Sequence, residues 1–320
     1  MTAPDFTQIP EWLGQHFGSF GVALAIIDGE QSKVFYHGFS DVAAKTPVTA
    51  NTVFEIGSVS KTMIGLLLAD AVQQNEVGVT EPLSKYLPQL NQHNYSLLAL
   101  ATHHSGLPRL PVNLPLDDLR NPYRDYNQTM LLSGLVSTTP VKTPRYEYSN
   151  LGFGLLGQVL AAQAKLTLDQ LIQQRLFAPL GMTNSSLARP HREISHLATP
   201  HQADGTAVEN WQFLALAGAG AVVSTLADMQ KYAQAYLVAA KSNAESSFSL
   251  SLKPQHQLSP QLAIGMGWMI ENSGFYWHNG QTAGFSSYIG LDLQRQRAVI
   301  LLTNVAIDVT EVGELLITKP

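Results

Sequence analysis

The 320-residue chain contains no cysteine, which excludes disulfides, thiol catalysis and thiolate-held zinc together. That absence fits an oxidising compartment as well as a reducing one. Charge is also scarce: Asp, Glu, Lys and Arg make up 13% of the residues against 45% hydrophobic, and the formal net charge is −5. So few charges on so apolar a chain argue for a packed core rather than disorder. No run of lysine and arginine stands out and the pI is near 6.0, so nucleic acid is not expected as a partner. No apolar stretch reaches membrane-spanning length. There is no glycine loop suited to phosphate, no internal repeat and no low-complexity linker. The segment from Met1 to Thr7 lacks the basic start and apolar core of a secretion signal. The expectation is a cytoplasmic protein, or a periplasmic one if a signal peptide has been removed.

What is present centres on Phe54 to Val72. A short apolar strand end, Val53 to Ile56, meets Gly57 and Ser58, and the run that follows is apolar on nearly every side. A helix hydrophobic all round belongs in a protein centre. Ser58 is expected at the start of that helix, beside free backbone N–H groups. Lys61 lies one turn later on the same face. Burying an unpaired ammonium is costly, so Lys61 needs a polar partner, and the Ser58 hydroxyl is the nearest candidate. A serine with an amine one turn away has the form of an activated nucleophile. The plainer alternative is a serine that caps the helix and a lysine that snorkels to solvent.

Around this stretch the chain reads as strands, a long helical insertion, then strands again. Residues Thr7–Phe17 form an amphipathic helix, and strands at Gly21–Ile27 and Lys33–Gly38 are joined by the hairpin signal Asp28-Gly29-Glu30. From about Gln73 to Pro200 helix and loop dominate, with helices at Leu97–Thr102, Thr129–Val136, Gly152–Ala162 and Thr167–Leu176 between Gly and Pro breaks. A helix at Ala227–Ala239 precedes strands at Gly265–Ile270, Gly274–His278, Ser286–Leu293 and Ala298–Asn304, and a helical tail at Val309–Ile317 closes the chain. Short turns between consecutive strands imply an antiparallel sheet. The expected fold is an α/β sandwich, an antiparallel sheet flanked by terminal helices with an inserted all-helical lobe. Residues 1–57 and 205–320 would form the sheet domain and 58–204 the helical one, with the active site at their junction.

Two further segments carry chemistry. Tyr146-Glu147-Tyr148-Ser149-Asn150 precedes a helix, so either Ser149 or Asn150 caps it, or Tyr148 and Asn150 stand side by side at a cleft. An ammonium near Tyr148 would favour its phenolate and lower a pKa that is ordinarily near 10. Asn150 offers both a donor and acceptors. The second segment is His278-Asn279-Gly280-Gln281-Thr282, after the strand-like Phe275-Tyr276-Trp277. It reads either as a turn with a satisfied histidine or as a strand edge whose glycine lets a substrate backbone approach and whose N–H groups hold a carbonyl oxygen.

In this order, Ser58-Val59-Ser60-Lys61, Tyr148-Ser149-Asn150 and His278-Asn279-Gly280 resemble the triple motif of the serine β-lactamase and penicillin-binding-protein superfamily, whose class A members carry a sister set. The tyrosine resembles that of the class C-like branch, with its D-peptidases and esterases. The flanking pieces Thr102–Pro108, Pro179–Thr183, Gly218–Thr225 and Gly265–Trp268 extend the resemblance over almost the whole chain. It implies a serine hydrolase acting through an acyl-enzyme on a β-lactam or D-alanyl peptide-like amide, a carboxylesterase of the same fold, or a penicillin-binding protein without turnover. By the same resemblance Ser58 is the nucleophile and Lys61 and Tyr148 share the base work. Asn150 positions Lys61 and the substrate amide, Gly280 leaves room for substrate, and the N–H groups of Ser58 and Gln281 form the oxyanion hole.

His278 stands where many relatives carry lysine, and with an ordinary pKa near 6.5 it is no permanent cation. That weakens the anchor for a substrate carboxylate and favours esters. The approach Lys142–Tyr146 also lacks a glycine that relatives often show. No cofactor is implied, and the expected partner is a small-molecule or short-peptide substrate met by a monomer. His191, His196 and His201 are spaced by five, wrong for two metal ligands on one helical face. His103 and His104 read as scaffold. Tyr123, Tyr126, Trp211 and Phe213 either line the cleft or fill the core. The loops from Leu107 to Arg145 are expected to set substrate preference.

Overall fold

Helix α2 (Ser60–Gln73) is buried over almost its whole length, from Ser60 to Ala71 with only Asp70 less covered. This follows from its sequence, which offers no polar stripe to turn toward water. The computed structural model describes residues 5–90, 92–93, 95–115, 120–139, 141, 144–242 and 244–319. Part of the loop expected to set substrate preference, 116–119, 140 and 142–143, therefore lies outside the described residues.

Before α2 come helix α1 (Ile9–Phe17) and strands β1 (Val22–Asp28), β2 (Gln31–His37), β3 (Phe39–Asp41), β4 (Thr46–Pro47) and β5 (Val53–Glu55). After it follow helices α3 (Leu97–Ala101), α4 (Gln128–Ser137), α5 (Asn150–Ala164), α6 (Leu168–Ile172) and α7 (Ala178–Leu180), strands β6 (Ser186–Leu187) and β7 (Val222–Thr225), and helices α8 (Leu226–Ala240) and α9 (Ser247–Leu252). Strands β8 (His256–Gln257), β9 (Leu262–Ile264), β10 (Met269–Glu271), β11 (Phe275–Gln281), β12 (Ser286–Asp292) and β13 (Arg297–Thr303) lead to the last helix, α10 (Thr310–Thr318).

The main sheet has eight strands in the order β2-β1-β13-β12-β11-β10-β9-β8, antiparallel throughout. Strand side chains alternate between faces, and here both faces are covered. Val22, Leu24 and Ile26 of β1 with Val299 and Leu301 of β13 pack against Leu13 and Phe17 of α1 and Leu316 and Ile317 of α10. The alternate residues Ala23, Ala25, Ile27, Ala298, Ile300 and Leu302 join the larger core with α2, α5 and α8. The sheet is thus the middle layer of a sandwich, held on one side by the two terminal helices. Among the described residues no single helix is long and apolar enough to cross a membrane.

The differences from the sequence reading have local causes. Gly265–Ile270 is not one strand. Gly267 turns there at a φ of +77°, and a side chain on it would meet the backbone of Lys61 at 2.6 Å. The alternating apolar residues of this segment serve a turn packed on α2, which periodicity alone cannot separate from a strand. A second sheet, β5-β7-β6, was not anticipated, because its strands run only two to four residues. Helix α9 was also missed, although Ser246 caps it by accepting from Ser249 N–H.

Candidate active site

Ser58 sits in a 3₁₀ turn, Gly57–Val59, that leads directly into α2. Lys61 is fully buried. Its Nζ lies 2.9 Å from Ser58 Oγ, 2.9 Å from Asn150 Oδ1 and 2.6 Å from the Ala219 carbonyl. Burial, and then the positive charge of Arg109, push the lysine well below its ordinary pKa. A neutral amine has two N–H donors and one lone pair. The Asn150 and Ala219 oxygens can only accept, so they take the donors and leave the lone pair for the hydroxyl of Ser58.

The segment carrying Tyr148 is fastened by His103. Ser149 N–H donates to His103 Nδ1 at 2.9 Å and Glu147 N–H donates to the His103 carbonyl. Ser149 Oγ accepts from Gly152 N–H and caps α5, and it donates to the Pro108 carbonyl. Capping thus falls to Ser149, and Asn150 at the first turn is free to face Lys61. The Tyr148 ring lies 4.9 Å from Lys61 Nζ and 5.1 Å from the Arg109 guanidinium carbon. Its pKa is nevertheless raised. Burial outweighs the opposing hydrogen bond with Ser58 and the charge of Arg109. The expected lowering by Lys61 is therefore overturned, because desolvation of the buried ring penalises the phenolate. Tyr148 is a neutral phenol.

The third segment is an exposed strand edge rather than a turn. Residues 275–281 all belong to β11, whose pairing with β10 involves only Tyr276 and Trp277. Thr282 N–H donates to the Phe285 carbonyl at the β12 side. Since antiparallel ladders alternate, the N–H of Gln281 turns away from β12, toward Ser58. A side chain on Gly57 would come 2.9 Å from Gln281 N, and one on Gly280 would come 3.0 Å from Ser58 N and 2.1 Å from the Ile56 carbonyl. The chain itself thus fills the side-chain space at Gly280, which is a reason for glycine there independent of any substrate. Ser287 Oγ donates to the same Ile56 carbonyl at 2.7 Å. His278 is buried and held at a pKa of about 3 by burial and then by the charge of Lys61. Its Nδ1 donates to the Asn279 carbonyl, so as a neutral ring it presents only a lone pair at Nε2.

Two cavities flank Ser58. One, of about 110 Å³, has walls that include Tyr123, Trp211, Phe213, Asn150 and Gly220. The other, of about 290 Å³, is lined by Tyr148, Met269, His278, Asn279, Gly280 and Gln281. Ser58, Gln281 and Arg109 border both. A larger cavity of about 410 Å³ beside α5 contains none of these groups. Of the four aromatics, Tyr126 is in the core, bonded through its hydroxyl to Asn113.

Arg109, Ala219 and Glu55 were missed by sequence reasoning. Arg109 directly follows the Thr102–Pro108 landmark and Ala219 lies within Gly218–Thr225, so both adjoin segments that carry the family resemblance. Glu55 is buried behind the site, where it accepts from Asn210 and from Trp211 N–H, and burial pushes its carboxyl up to about 7.

The Beta-lactamase family model matches residues 12–315. A beta-lactamase of Escherichia coli (strain K12) is 32% identical over 222 residues, 68% of this chain and 56% of that protein. The D-alanyl-D-alanine-carboxypeptidase/endopeptidase AmpH of the same strain is 26% identical over 92% of this chain and 83% of its own length. The alignments span about half the length of the curated beta-lactamases matched. Among solved structures, a class C beta-lactamase superposes with a TM-score of 0.84 at 20% identity, covering 100% of this chain and 99% of that one, a likeness of fold. With the model covering nearly the whole sequence and the backbone agreeing, the chain belongs to the beta-lactamase family and has the fold of a class C member.

Proposed function

We propose that this protein is an acyl-serine hydrolase acting on a β-lactam or D-alanyl peptide-like amide, with Ser58 as nucleophile. The observation that carries this reading is the 2.9 Å contact between Ser58 Oγ and a buried Lys61 whose other two partners are both oxygen acceptors. Lys61 takes the serine proton as Oγ bonds to the carbonyl carbon. The N–H groups of Ser58 and Gln281 donate to the developing oxyanion, each donor contributing about 3–4 kcal/mol in the transition state. Tyr148, neutral through burial, gives its proton to the leaving nitrogen or oxygen and recovers one from Lys61. A water then repeats the sequence on the acyl-enzyme, releasing the acid and restoring Ser58.

Asn150 orients Lys61 and the substrate amide, and the 278–281 edge lies alongside the bound acyl group. The catalytic groups sit at a seam between a sheet domain (1–57 and 205–320) and a helical domain (58–204), open to a small molecule or short peptide. A carboxylesterase is the second reading, favoured by the neutral His278. Intact-protein mass spectra after exposure to a panel of penicillins, cephalosporins and aryl esters test the proposal. The wild type is expected to gain one acyl group and then lose it, while Ser58→Ala gains none. Labelling of Ser58→Ala refutes the assignment, and a permanent adduct on the wild type would mark a binding protein without turnover.

A further inference from the structure

Arg109 is exposed at the rim of the site and borders both cavities beside Ser58. Its backbone carbonyl accepts from the N–H groups of Asn150 and Leu151, which ties it to the first turn of α5. Its guanidinium lies over the Tyr148 ring, 5.1 Å from the centroid. Among the described residues no carboxylate forms an ion pair with it.

The other groups lining the cavity of about 290 Å³ carry no permanent positive charge. His278 commits its single ring proton to the Asn279 carbonyl, and its other ring nitrogen is buried without a hydrogen-bond partner among the described residues. The Asn279 amide donates to Thr310 Oγ1. Lys61 is buried and its donors are engaged by Asn150 and Ala219. Arg109 is then the permanent cation beside Tyr148, and Tyr148 is the group that meets the leaving atom. Guanidinium binds carboxylate in a two-pronged fashion that suits this position.

We propose that Arg109 is the specificity residue that binds a free carboxylate on the leaving-group side of the substrate, which selects acyl compounds whose departing amine or alcohol bears an acid. This rests on the acyl-serine reading above.

The test uses two aryl esters with the same acyl group, the leaving phenol carrying a meta-carboxylate in one and a meta-carboxamide in the other. The readout is the ratio of their kcat/KM values for the wild type, Arg109→Ala and Arg109→Lys. A charge-assisted contact supports about a tenfold preference for the carboxylate. Arg109→Ala is expected to remove that preference chiefly through KM, and Arg109→Lys to keep part of it. The wild-type ratio should fall as salt rises and stay constant from pH 6 to 9. A ratio near one in the wild type, or a ratio in Arg109→Ala within twofold of wild type, overturns the proposal. So does a preference that disappears with rising pH, which would assign the anchor to a histidine. If the Ala variant does not fold, the salt and pH dependence of the wild-type ratio decides. Failure of the wild type to cleave either ester or to be acylated at Ser58 overturns the hydrolase reading and this one with it. A ratio of one from an active enzyme overturns this one alone.

Discussion

Gly280 packs against Ser58 so closely that a single methyl group on it would stand 3.0 Å from the Ser58 nitrogen. The same methyl would be 2.1 Å from the Ile56 carbonyl, a backbone atom that cannot swing aside. The distance between the β11 edge and the Ser58 turn is therefore fixed by the absence of a side chain. Gly280→Ala is expected to push the edge outward and misplace the Gln281 N–H. Loss of this proposed oxyanion donor is expected to lower kcat by about 10²–10³-fold, and the forced shift to lower stability by about 1–3 kcal/mol. Steady-state kinetics beside urea unfolding check both. Kinetics within tenfold of wild type would show that this approach does not set the site.

Lys61 and Tyr148 are expected to differ in how their loss depends on the leaving group. With Lys61 as the proposed acceptor of the serine proton, Lys61→Met should slow acylation by about 10²–10⁴-fold with any substrate. Tyr148→Phe removes a proton donor, which matters most when the departing atom is basic. It should slow an amide or alkyl ester far more than a p-nitrophenyl ester. Equal losses on both ester types would assign Tyr148 another task.

The pH profile carries a sign. In the proposed reaction the active form of Lys61 is the amine, so kcat/KM with a neutral ester is expected to rise with pH as Lys61 loses its proton, well below the ordinary lysine pKa of 10.5. Arg109 contributes to that lowering, so Arg109→Ala should move this acid limb to higher pH. A shift toward lower pH, or none, contradicts the coupling.

Glu55 links pH to stability. Its carboxyl is raised from 4.5 to about 7 by burial, against the hydrogen bonds from Thr282, Asn210 and Trp211. The folded state holds this proton more tightly than the unfolded chain does. The resulting stabilisation is complete below about pH 4.5 and is lost as pH rises through about 7, with at most about 3 kcal/mol at stake. Glu55→Gln keeps the neutral form at every pH, so its unfolding free energy relative to wild type should increase between pH 5 and 8. Parallel curves would exclude Glu55 as the source.

The legible part of the fold came from strong local patterns. The helix after Ser58, the helices at both termini and the strands near Val22–Asp28, Ser286–Asp292 and Arg297–Thr303 were read from continuous or alternating apolar residues, because burial on one or both faces dictates residue type. Short elements such as Ser186–Leu187 exist only because β7 pairs with them, and no local signal records a partner more than thirty residues away.

At the site, the sequence by itself determined the inventory: an apolar helix obliges Lys61 to find polar company, and Ser58 one turn earlier is within its reach. Only the tertiary structure decided the protonation states. Whether an amine, a phenol or an imidazole is charged depends on how much water and which neighbours surround it. Burial made Tyr148 a neutral phenol, drew Lys61 toward its amine and left His278 uncharged. Arg109 became the exposed cation at the rim for the same reason, since solvation is set by where distant segments meet and not by the residues beside it in the chain.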